Sequence, residues 1–308
     1  MKYVFYHANC IDGFTAAYCM FVHFGEAAEY LPINHGDNIK EELLIKDNEF
    51  FFVDFCPPRE KLLEIESKVG SVLVLDHHKT GVENCGDLSY CKFDMNKSGA
   101  GLAYKYVWNE LKKSNFFDKK AYHQGYEQLT QLVTYVQDND LWTFALPKTK
   151  AVNAYLQLQE KTFENWERIA TELWSSNRYI IVEQGEQLLK MERIIVDHHK
   201  KNSCRTTIFG HDNIPVVNIS YGNHSLILNE LCDEGSFSVG WSFDGTKVKY
   251  SLRSKNFDVA EIAEMFNGGG HKEAAAFISS HFPEDFKTEK SCRLISNNIH
   301  AHNFWLGR

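Results

Sequence analysis

The sequence predicts an α/β protein in which an N-terminal domain with a parallel sheet is joined by a helical linker to a smaller mixed α/β domain. Three observations lead to this prediction. Short apolar runs alternate with amphipathic stretches over the first 80 residues, a long charged helical pattern begins near residue 179, and strand patterns return after residue 202. The expected boundaries are 1–178 for the first domain, 179–202 for the linker and 203–308 for the second domain.

Four strands and three helices are expected in the first 80 residues. Each strand is a short run rich in β-branched or aromatic side chains. The strands are Lys2–Tyr6, Glu29–Ile33, Phe50–Asp54 and Ser71–Leu75, and the helices are Phe14–Phe24, Asn38–Ile45 and Arg59–Val69. Strands that alternate with helices in this way form βαβ units, in which ligands bind beyond the carboxyl ends of the strands.

Helical periodicity dominates the next part of the chain. The helices expected there are Gly99–Lys112 with Ser98 as its N-cap, Lys120–Gln137, Phe163–Trp174 and Tyr179–Lys201. The second domain is expected to contain the strands Cys204–Phe209, Ile214–Ile219, Ser236–Phe243 and Lys247–Leu252, with helices at Ser225–Cys232 and Asp258–Met265. The alanines that follow His271 are expected to be helical as well.

Composition narrows the classes of function. The chain has 308 residues, with 33 Lys and Arg, 41 Asp and Glu, 14 His and a formal net charge of −8. Affinity for long duplex nucleic acid comes from basic residues that displace counterions, so this balance argues against such a partner. A short anionic substrate and bound cations are both compatible with it.

The cysteines and the apolar runs indicate the compartment. Eight cysteines lie at scattered positions with no Cys-x-x-Cys pair, which is typical of reduced thiols in a cytosolic protein. The N-terminal segment has no apolar run of signal-peptide length, and nowhere do 18 uncharged apolar residues follow one another. We therefore expect a cytoplasmic protein without membrane contact. A homodimer is compatible with the sequence.

Side chains with metal-binding chemistry follow three of the predicted strands. His7 and Asp12 follow the first strand, Asp54 ends the run FFFVDF, and Asp76–His78 end the run SVLVLDHH. The carboxyl ends of parallel strands share one edge of the sheet. Carboxylates and imidazoles that meet there repel one another or share protons unless a cation lies between them. Oxygen and nitrogen donors suit Mn, Mg or Fe better than a structural zinc site.

A fourth group of donors follows the amphipathic helix that is expected to end near Gln137. It contains Asp138, with Asp140 as the alternative donor, in VQDNDLW. Taken alone, acids at such a position more often cap a turn than bind a metal. For His7 and Asp12, helix capping and metal binding are equally compatible with the local sequence. The joint pattern with the strand ends favours metal binding.

The tripeptide Asp-His-His occurs a second time, at 197–199. This copy lies in a helical pattern, where Asp197, His198 and His199 would spread over different faces of the helix. We therefore expect a solvated helix end here and no metal site.

The chain resembles the DHH phosphoesterase superfamily, whose members carry a smaller DHH-associated domain at the C-terminus. The resemblance covers the whole chain and rests on motifs in a specific order. They are HANCIDGFTAAY (7–18), VDF (53–55), LDHHK (75–79), SGAG (98–101), DNDLW (138–142), SLRS (251–254) and GGGHKEAAAF (268–277). The superfamily includes single-strand DNA exonucleases, short-RNA nucleases, cyclic-dinucleotide phosphodiesterases and pyrophosphatases.

The resemblance implies phosphoester hydrolysis by a pair of Mn²⁺ ions, with Mg²⁺ as the alternative, that activate a water for in-line attack. Asp54 would bridge the ions, and the full set of ligands would be His7, Asp12, Asp54, Asp76, His77 and Asp138. Asp76 and His78 would be catalytic, with His78 nearer the substrate phosphate. Substrate would be bound in a cleft between the domains by Arg253, Gly268, Gly269, Gly270 and His271, since glycines let backbone N–H groups approach an anion.

One departure from the superfamily pattern affects the metal shell. The first motif often has two acids separated by one residue, whereas Phe14 follows two positions after Asp12. Asn9 and Cys10 are the nearby polar substitutes. Ligation by the Cys10 thiolate is disfavoured, because oxygen-rich Mn sites rarely use sulfur. The second metal shell is then thinner or completed by water.

Three functions are compatible with this reading. The first is hydrolysis of short oligonucleotides or linear dinucleotides to mononucleotides, which we favour because the acidic chain lacks a basic run for long strands. The second is hydrolysis of polyphosphate or a nucleoside 3′,5′-bisphosphate. The third is a nucleotide-binding protein with impaired turnover. No aromatic residue can be assigned as a base-stacking platform from the sequence.

Overall fold

A computed structural model describes residues 1–113 and 119–286 of the chain. The chain divides into two compact units, Met1–Leu189 and Lys190–Arg308. The division falls inside a long helix, Arg178–Lys201. The predicted boundaries at 178 and 202 bracket this helix and stay predictions.

The first unit contains a five-stranded sheet in which every strand pair is parallel. Its spatial order is β2-β1-β3-β4-β5. The strands are β1 (Lys2–His7), β2 (Ala28–Ile33), β3 (Glu49–Val53), β4 (Ser71–Asp76) and β5 (Cys91–Phe93). The parallel α/β domain predicted from the sequence is confirmed, with β5 as an additional short strand.

Helices cover both faces of this sheet. In chain order they are α1 (Ile11–Phe24), α2 (Arg59–Lys68), α3 (Lys79–Cys85), α4 (Gly99–Lys113), α5 (Lys119–Asp140), α6 (Thr149–Gln157) and α7 (Phe163–Trp174), followed by α8 (Arg178–Lys201). Successive β3 side chains point to opposite faces. Phe51 and Val53 therefore pack in the core formed with α1 and α4, while Phe50 and Phe52 pack in the core formed with α2. Because β3 is buried on both faces, its residues 50–53 form a continuous apolar run, FFFV.

The second unit contains a mixed six-stranded sheet in the order β10-β11-β9-β8-β7-β6. The strands are β6 (Cys204–Ile208), β7 (His211–Asn218), β8 (Phe237–Phe243), β9 (Val248–Ser254), β10 (Gly269–His271) and β11 (Ala274–Ser279), and the helices are α9 (His224–Leu231) and α10 (Ala260–Glu264). Strands β7 and β8 pair in parallel and the other pairs are antiparallel. The predicted mixed α/β domain is confirmed.

Two predicted helices are wrong. The alanines after His271 form strand β11, which pairs with β9 and buries Ala275 and Phe277; pairing and burial outweigh the helix propensity of alanine. The segment 38–45 contains only a 3₁₀ turn, Glu41–Leu43. Its side chains are mostly exposed, so no apolar stripe supports a longer helix. The side-chain amide of Asn48 donates a hydrogen bond to the Leu43 carbonyl at 2.8 Å.

The second Asp-His-His copy lies in the last turns of α8. Asp197 and His198 are exposed, as expected, and the Asp197 carboxylate accepts hydrogen bonds from Arg193. His199 is buried instead, with its Nε2 3.0 Å from the carbonyl oxygen of Tyr221. The expectation of a solvated end is therefore wrong for His199. Throughout residues 1–113 and 119–286, each helix is too short or too polar to cross a bilayer.

Candidate metal centre

The first unit gathers carboxylates and imidazoles at the carboxyl edge of its sheet. His7 ends β1, Asp54 follows β3 and Asp76 ends β4. The observed α1 starts three residues earlier than predicted, so that Asp12 lies in its first turn. Asp54 has a left-handed backbone (φ 55°), a conformation that Asp tolerates better than most residues. The parallel topology therefore brings side chains that are far apart in sequence to one place.

Gly99 explains why the SGAG motif stands at the start of α4. A Cβ atom on Gly99 would lie 2.3 Å from the Cβ of Asp54, so only glycine fits. This close approach brings the N-terminus of α4 onto Asp12, whose carboxylate accepts hydrogen bonds from the N–H groups of Gly99 (2.5 Å) and Ala100 (3.0 Å). The first helix turn thereby holds one buried carboxylate in place.

Three overlapping groups of donor atoms lie in this cluster, each group with its atoms within 4.8 Å of one another. They are His7, Cys10 and Asp54; Asp12, His77 and Asp140; and Asp54, Asp76, His77 and His78. Asp54 and His77 each belong to two groups and connect them. Of the residues predicted as ligands or catalytic groups in the first domain, all except Asp138 lie in this cluster.

The cluster has the electrostatics of a cation site. Asp12, Asp54 and Asp76 are each at most 2% exposed. Buried oxygens of Asp54 (Oδ1) and Asp140 (Oδ2) accept no hydrogen bond from the part of the chain that the structure describes. Unpaired buried carboxylate oxygens are costly. Divalent ions with a preference for oxygen and nitrogen ligands therefore fit the residues present.

The pKa values of these groups are shifted by their burial and by one another's charges. Burial, together with the Asp54 and Asp140 carboxylates, raises the pKa of Asp12 well above its usual range. Burial opposes ionisation of Asp54 too, yet the imidazoles of His7 and His77 hold its pKa low, at about 2. Burial would lower the pKa of His77, but Asp54, Asp12 and Asp140 raise it to about 9. Protons thus supply positive charge that bound cations would replace.

Distances around His77 show how closely the acids converge. Its Nε2 lies 3.3 Å from Asp54 Oδ1, 3.5 Å from Asp140 Oδ2 and 3.9 Å from Asp12 Oδ2. The Nδ1 of His7 is 3.7 Å from Asp54 Oδ2. No lysine or arginine among the described residues forms an ion pair with these acids. The imidazoles are their nearest positive partners.

The structure places Asp138 outside the three donor groups, and its assignment as a ligand, with Asp140 as the alternative, stays a prediction. Helix α5 continues through Asp140 instead of ending near Gln137, and residues two positions apart on a helix point in different directions. The Asp138 carboxylate accepts hydrogen bonds from the loop that follows and from the start of α6. The donors are the Thr143 hydroxyl (2.6 Å), the N–H groups of Ala145 (2.7 Å) and Leu146 (3.1 Å), and the Thr149 hydroxyl.

Asp140 joins the cluster in place of Asp138. The buried α5 residues Leu132, Val133 and Val136 face the core, and Asp140 lies four positions after Val136 on the same side of the helix. Its Oδ2 is one of the two buried oxygens that make no hydrogen bond among the described residues. This periodicity is the sequence signal that favours Asp140.

His78 lies at the open side of the cluster. Its Nδ1 is 2.7 Å from Asp76 Oδ1, and its side chain is 46% exposed. Asp76 Oδ1 also accepts the N–H groups of His77 (2.8 Å) and His78 (3.3 Å). The hydrogen bond to Asp76 raises the pKa of His78. Asp76 contacts only the Nδ1 of this imidazolium, so its Nε2 is the nitrogen suited to donate to an anion.

The second unit contains a basic pocket of about 370 Å³. It is lined by His224, Lys249, Ser251, Arg253, Gly269 and Ala274–Ala276. The Arg253 guanidinium donates to the Ser225 hydroxyl (2.7 Å) and the Leu252 carbonyl (2.8 Å), which fixes its orientation. Of the residues predicted to bind substrate, Arg253 and Gly269 line this pocket, while Gly268, Gly270 and the exposed His271 do not contribute to its described lining. Their role in substrate binding stays a prediction. Lys249 and His224 are additional basic groups that motif reasoning missed.

Comparison with known proteins adds independent information. Residues 226–289 match the family model of the DHHA1 domain. The chain is 28% identical over 306 residues to the uncharacterized protein R106 of Acanthamoeba polyphaga mimivirus, covering 90% of this chain and 67% of that protein. Through the DHHA1 match and its motifs the chain is similar to the DHH phosphoesterase superfamily.

Two solved structures have folds similar to that of this chain. The pGpG-specific phosphodiesterase PggH of Vibrio cholerae superposes with a TM-score of 0.53 at 13% identity, covering 97% of both chains. RecJ of Thermus thermophilus, solved in complex with Mn²⁺, superposes with a TM-score of 0.50 at 15% identity, covering 97% of this chain and 52% of RecJ. This chain therefore spans about half of the RecJ chain.

Proposed function

We propose that the protein is a metal-dependent phosphodiesterase that hydrolyses short oligonucleotides or linear dinucleotides to mononucleotides. The observation that carries the proposal is the cluster of buried carboxylates and imidazoles at the sheet edge, with two carboxylate oxygens that lack a hydrogen-bond partner among the described residues. The fold shared with PggH, a pGpG-specific phosphodiesterase, supports a dinucleotide substrate. We propose Mn²⁺ as the ion, with Mg²⁺ as the alternative, because both accept oxygen donors.

Different residues of the cluster would bind the metal ions and contact the substrate phosphate. When bound, divalent ions supply Lewis acidity toward the phosphoryl oxygens. Asp12, Asp54, His77 and Asp140 would hold them, with Asp54 shared between the groups because it belongs to two of them. His78 would donate from Nε2 to a nonbridging phosphate oxygen, and Asp76 orients that imidazole through its Nδ1.

An exposed tryptophan two residues after Asp140 favours a nucleotide over polyphosphate. Trp142 is 79% exposed and lies two residues after Asp140, within about 7 Å along the backbone. The loop that carries it is held by the Asp138 backbone carbonyl, which accepts the N–H groups of Thr143 (3.1 Å) and Phe144 (3.3 Å). Phe144 packs edge-on against the Trp142 ring at 5.6 Å. A held, exposed indole is suited to stack on a nucleobase.

Replacing Trp142 by Ala is expected to raise the KM for a dinucleotide about tenfold, because base–aromatic stacking contributes about 1–3 kcal/mol. Steady-state kinetics on a dinucleotide and on a phosphodiester without nucleobases measure the effect. Trp142→Phe should retain most of the affinity, and Trp174→Ala, which removes a 43% exposed indole on α7, is the matched control. An equal KM increase for the substrate without bases would contradict the stacking role.

The basic pocket of the second unit is proposed to bind a phosphate of the substrate. Arg253→Ala is expected to raise KM about 10- to 100-fold with little change in kcat, because a charge-assisted hydrogen bond contributes about 1.5–3 kcal/mol away from the reacting phosphorus. Arg253→Lys keeps the charge without the planar fork and should fall in between. Kinetics in which kcat collapses at unchanged KM would show that this role is wrong.

A substrate panel tests the proposed function directly. Purified protein would be incubated with Mn²⁺ or Mg²⁺ and a labelled RNA dinucleotide, a long DNA strand, 3′-phosphoadenosine phosphate or polyphosphate, with Asp76→Asn as the inactive control. We expect release of mononucleotides from the dinucleotide and loss of turnover in EDTA. Phosphate release from polyphosphate or the bisphosphate alone would support the second function. Tight dinucleotide binding without turnover would support the impaired binding protein.

A further inference from the structure

One end of the metal cluster contains a sulfur donor. The Nδ1 or Nε2 of His7, the Sγ of Cys10 and a carboxylate oxygen of Asp54 lie within 4.8 Å of one another. Asp54 is 2% exposed, and its Oδ1 lacks a hydrogen-bond partner among the described residues. The buried Asp54 carboxylate, whose Oδ2 lies 3.7 Å from the Nδ1 of His7, and the nearby thiol together provide nitrogen, sulfur and oxygen donors around one point.

Helix capping does not explain a cysteine at position 10. Cys10 is the N-cap residue of α1 with an extended backbone (φ −99°, ψ 141°), and its side chain makes no capping hydrogen bond. Ser, Thr, Asp and Asn are the residues that favour this position. Since a thiol is a poor cap, the adjacent His7 and Asp54 offer a better reason for the sulfur.

The other end of the cluster has different chemistry. Asp12, His77 and Asp140 supply two carboxylates and one imidazole, without sulfur. Thiolate ligands favour Zn²⁺ and other softer ions, whereas carboxylates suit Mn²⁺ and Mg²⁺. The two ends of the cluster therefore differ in the ion that they favour.

We propose that Cys10 is a metal ligand, so that the His7–Cys10–Asp54 end binds a softer ion such as Zn²⁺ or Co²⁺ in preference to Mn²⁺. The Asp12–His77–Asp140 end then takes the harder ion. On binding, the S–H bond of Cys10 breaks, a sulfur–metal bond forms and the proton leaves to water. This inference rests on the proposed function and changes the ion proposed there at one end of the site, from Mn²⁺ to a softer ion. It also reverses the expectation from the sequence that sulfur is not used.

Cobalt spectroscopy tests the proposal without any hydrolysis assay. Metal-free protein would be titrated with Co²⁺ and followed by the near-ultraviolet charge-transfer band of a cobalt–thiolate bond. The wild type should develop a band equivalent to one thiolate, Cys10→Ser should lose it, and Cys204→Ser, which alters an exposed cysteine elsewhere, should keep it. Absence of the band in the wild type, or its persistence in Cys10→Ser, would overturn the proposal.

Metal affinity gives a second readout. Cys10→Asp should keep metal binding and shift the preference from Zn²⁺ toward Mn²⁺. Cys10→Ser should weaken Zn²⁺ binding about tenfold or more, since loss of a supporting contact alone costs about 10–100-fold. Equal Zn²⁺ affinity in wild type and Cys10→Ser would reject the ligand role. Hydrolysis without a cobalt–thiolate band would leave the proposed function standing and reject this inference, while a band without hydrolysis would do the reverse.

Discussion

Asp54→Asn is expected to lower kcat/KM about a thousandfold or more, which is the largest effect predicted for a single substitution. Asp54 is the carboxylate shared by two donor groups, and its buried Oδ1 makes no hydrogen bond among the described residues. Removing its charge would weaken cation binding at both ends of the cluster, where stabilisation of the phosphoryl oxygens is worth several kcal/mol and each 1.36 kcal/mol is tenfold in rate.

The asparagine variant should keep the fold. Asn tolerates the left-handed backbone that Asp54 adopts, and it preserves the size of the side chain. Circular dichroism should therefore match the wild type, while the rise in Tm on adding Mn²⁺ should shrink, because a ligand that binds only the folded state stabilises it by mass action. Asp47→Asn, at an exposed position, is the control. Near wild-type kcat/KM in Asp54→Asn would refute the central role of this carboxylate.

Asp138→Ala is expected to reduce stability, whereas Asp140→Asn is expected to reduce activity. Asp138→Ala should lower the free energy of unfolding by about 3 kcal/mol, because it leaves two N–H groups and two hydroxyls without their charged acceptor. Asp140→Asn should lower kcat/KM about a hundredfold and leave unfolding nearly unchanged, because it alters a cation site. Denaturant titration and steady-state kinetics on both variants separate the roles. A stable, inactive Asp138→Ala would restore the original assignment.

The contribution of Asp138 should also depend on pH. Burial opposes its ionisation, but the hydrogen bonds from Thr143, Thr149, Ala145 and Leu146 outweigh burial and lower its pKa below the usual value. A lowered pKa in the folded state stabilises the protein above the ordinary pKa of an aspartate, and this stabilisation is lost as the pH falls through the lower value. The difference in unfolding free energy between wild type and Asp138→Ala should therefore shrink in acid.

The donor cluster was predictable in large part because strand ends are readable. Runs such as FFFV and SVLVL are short, apolar and followed directly by acids, so their carboxyl ends could be located without any knowledge of packing. Parallel topology then requires these ends to share one edge. His7, Asp54 and Asp76–His78 lie together in the structure for this reason.

Errors arose where long-range packing decides local structure. The alanines after His271 favour a helix by propensity, but pairing with β9 makes them a strand. The short distances from the Cys10 thiol to donor atoms of His7 and Asp54 likewise come from the tertiary structure, because residues 7, 10 and 54 are brought together only by the packing of β1, α1 and β3. Trp142 looked like one of many aromatic residues until its exposure was known.

By itself the sequence determined the parallel α/β domain, the mixed second domain and the edge at which acids and histidines meet, because hydrophobic periodicity and strand ends depend on local order along the chain. Only the tertiary structure decided between Asp138 and Asp140. Both acids belong to the last turn of α5, and the side of the helix that packs on the core determines which one faces the cluster. Burial of Leu132, Val133 and Val136 turns Asp140 toward His77 and leaves Asp138 to hold the next loop.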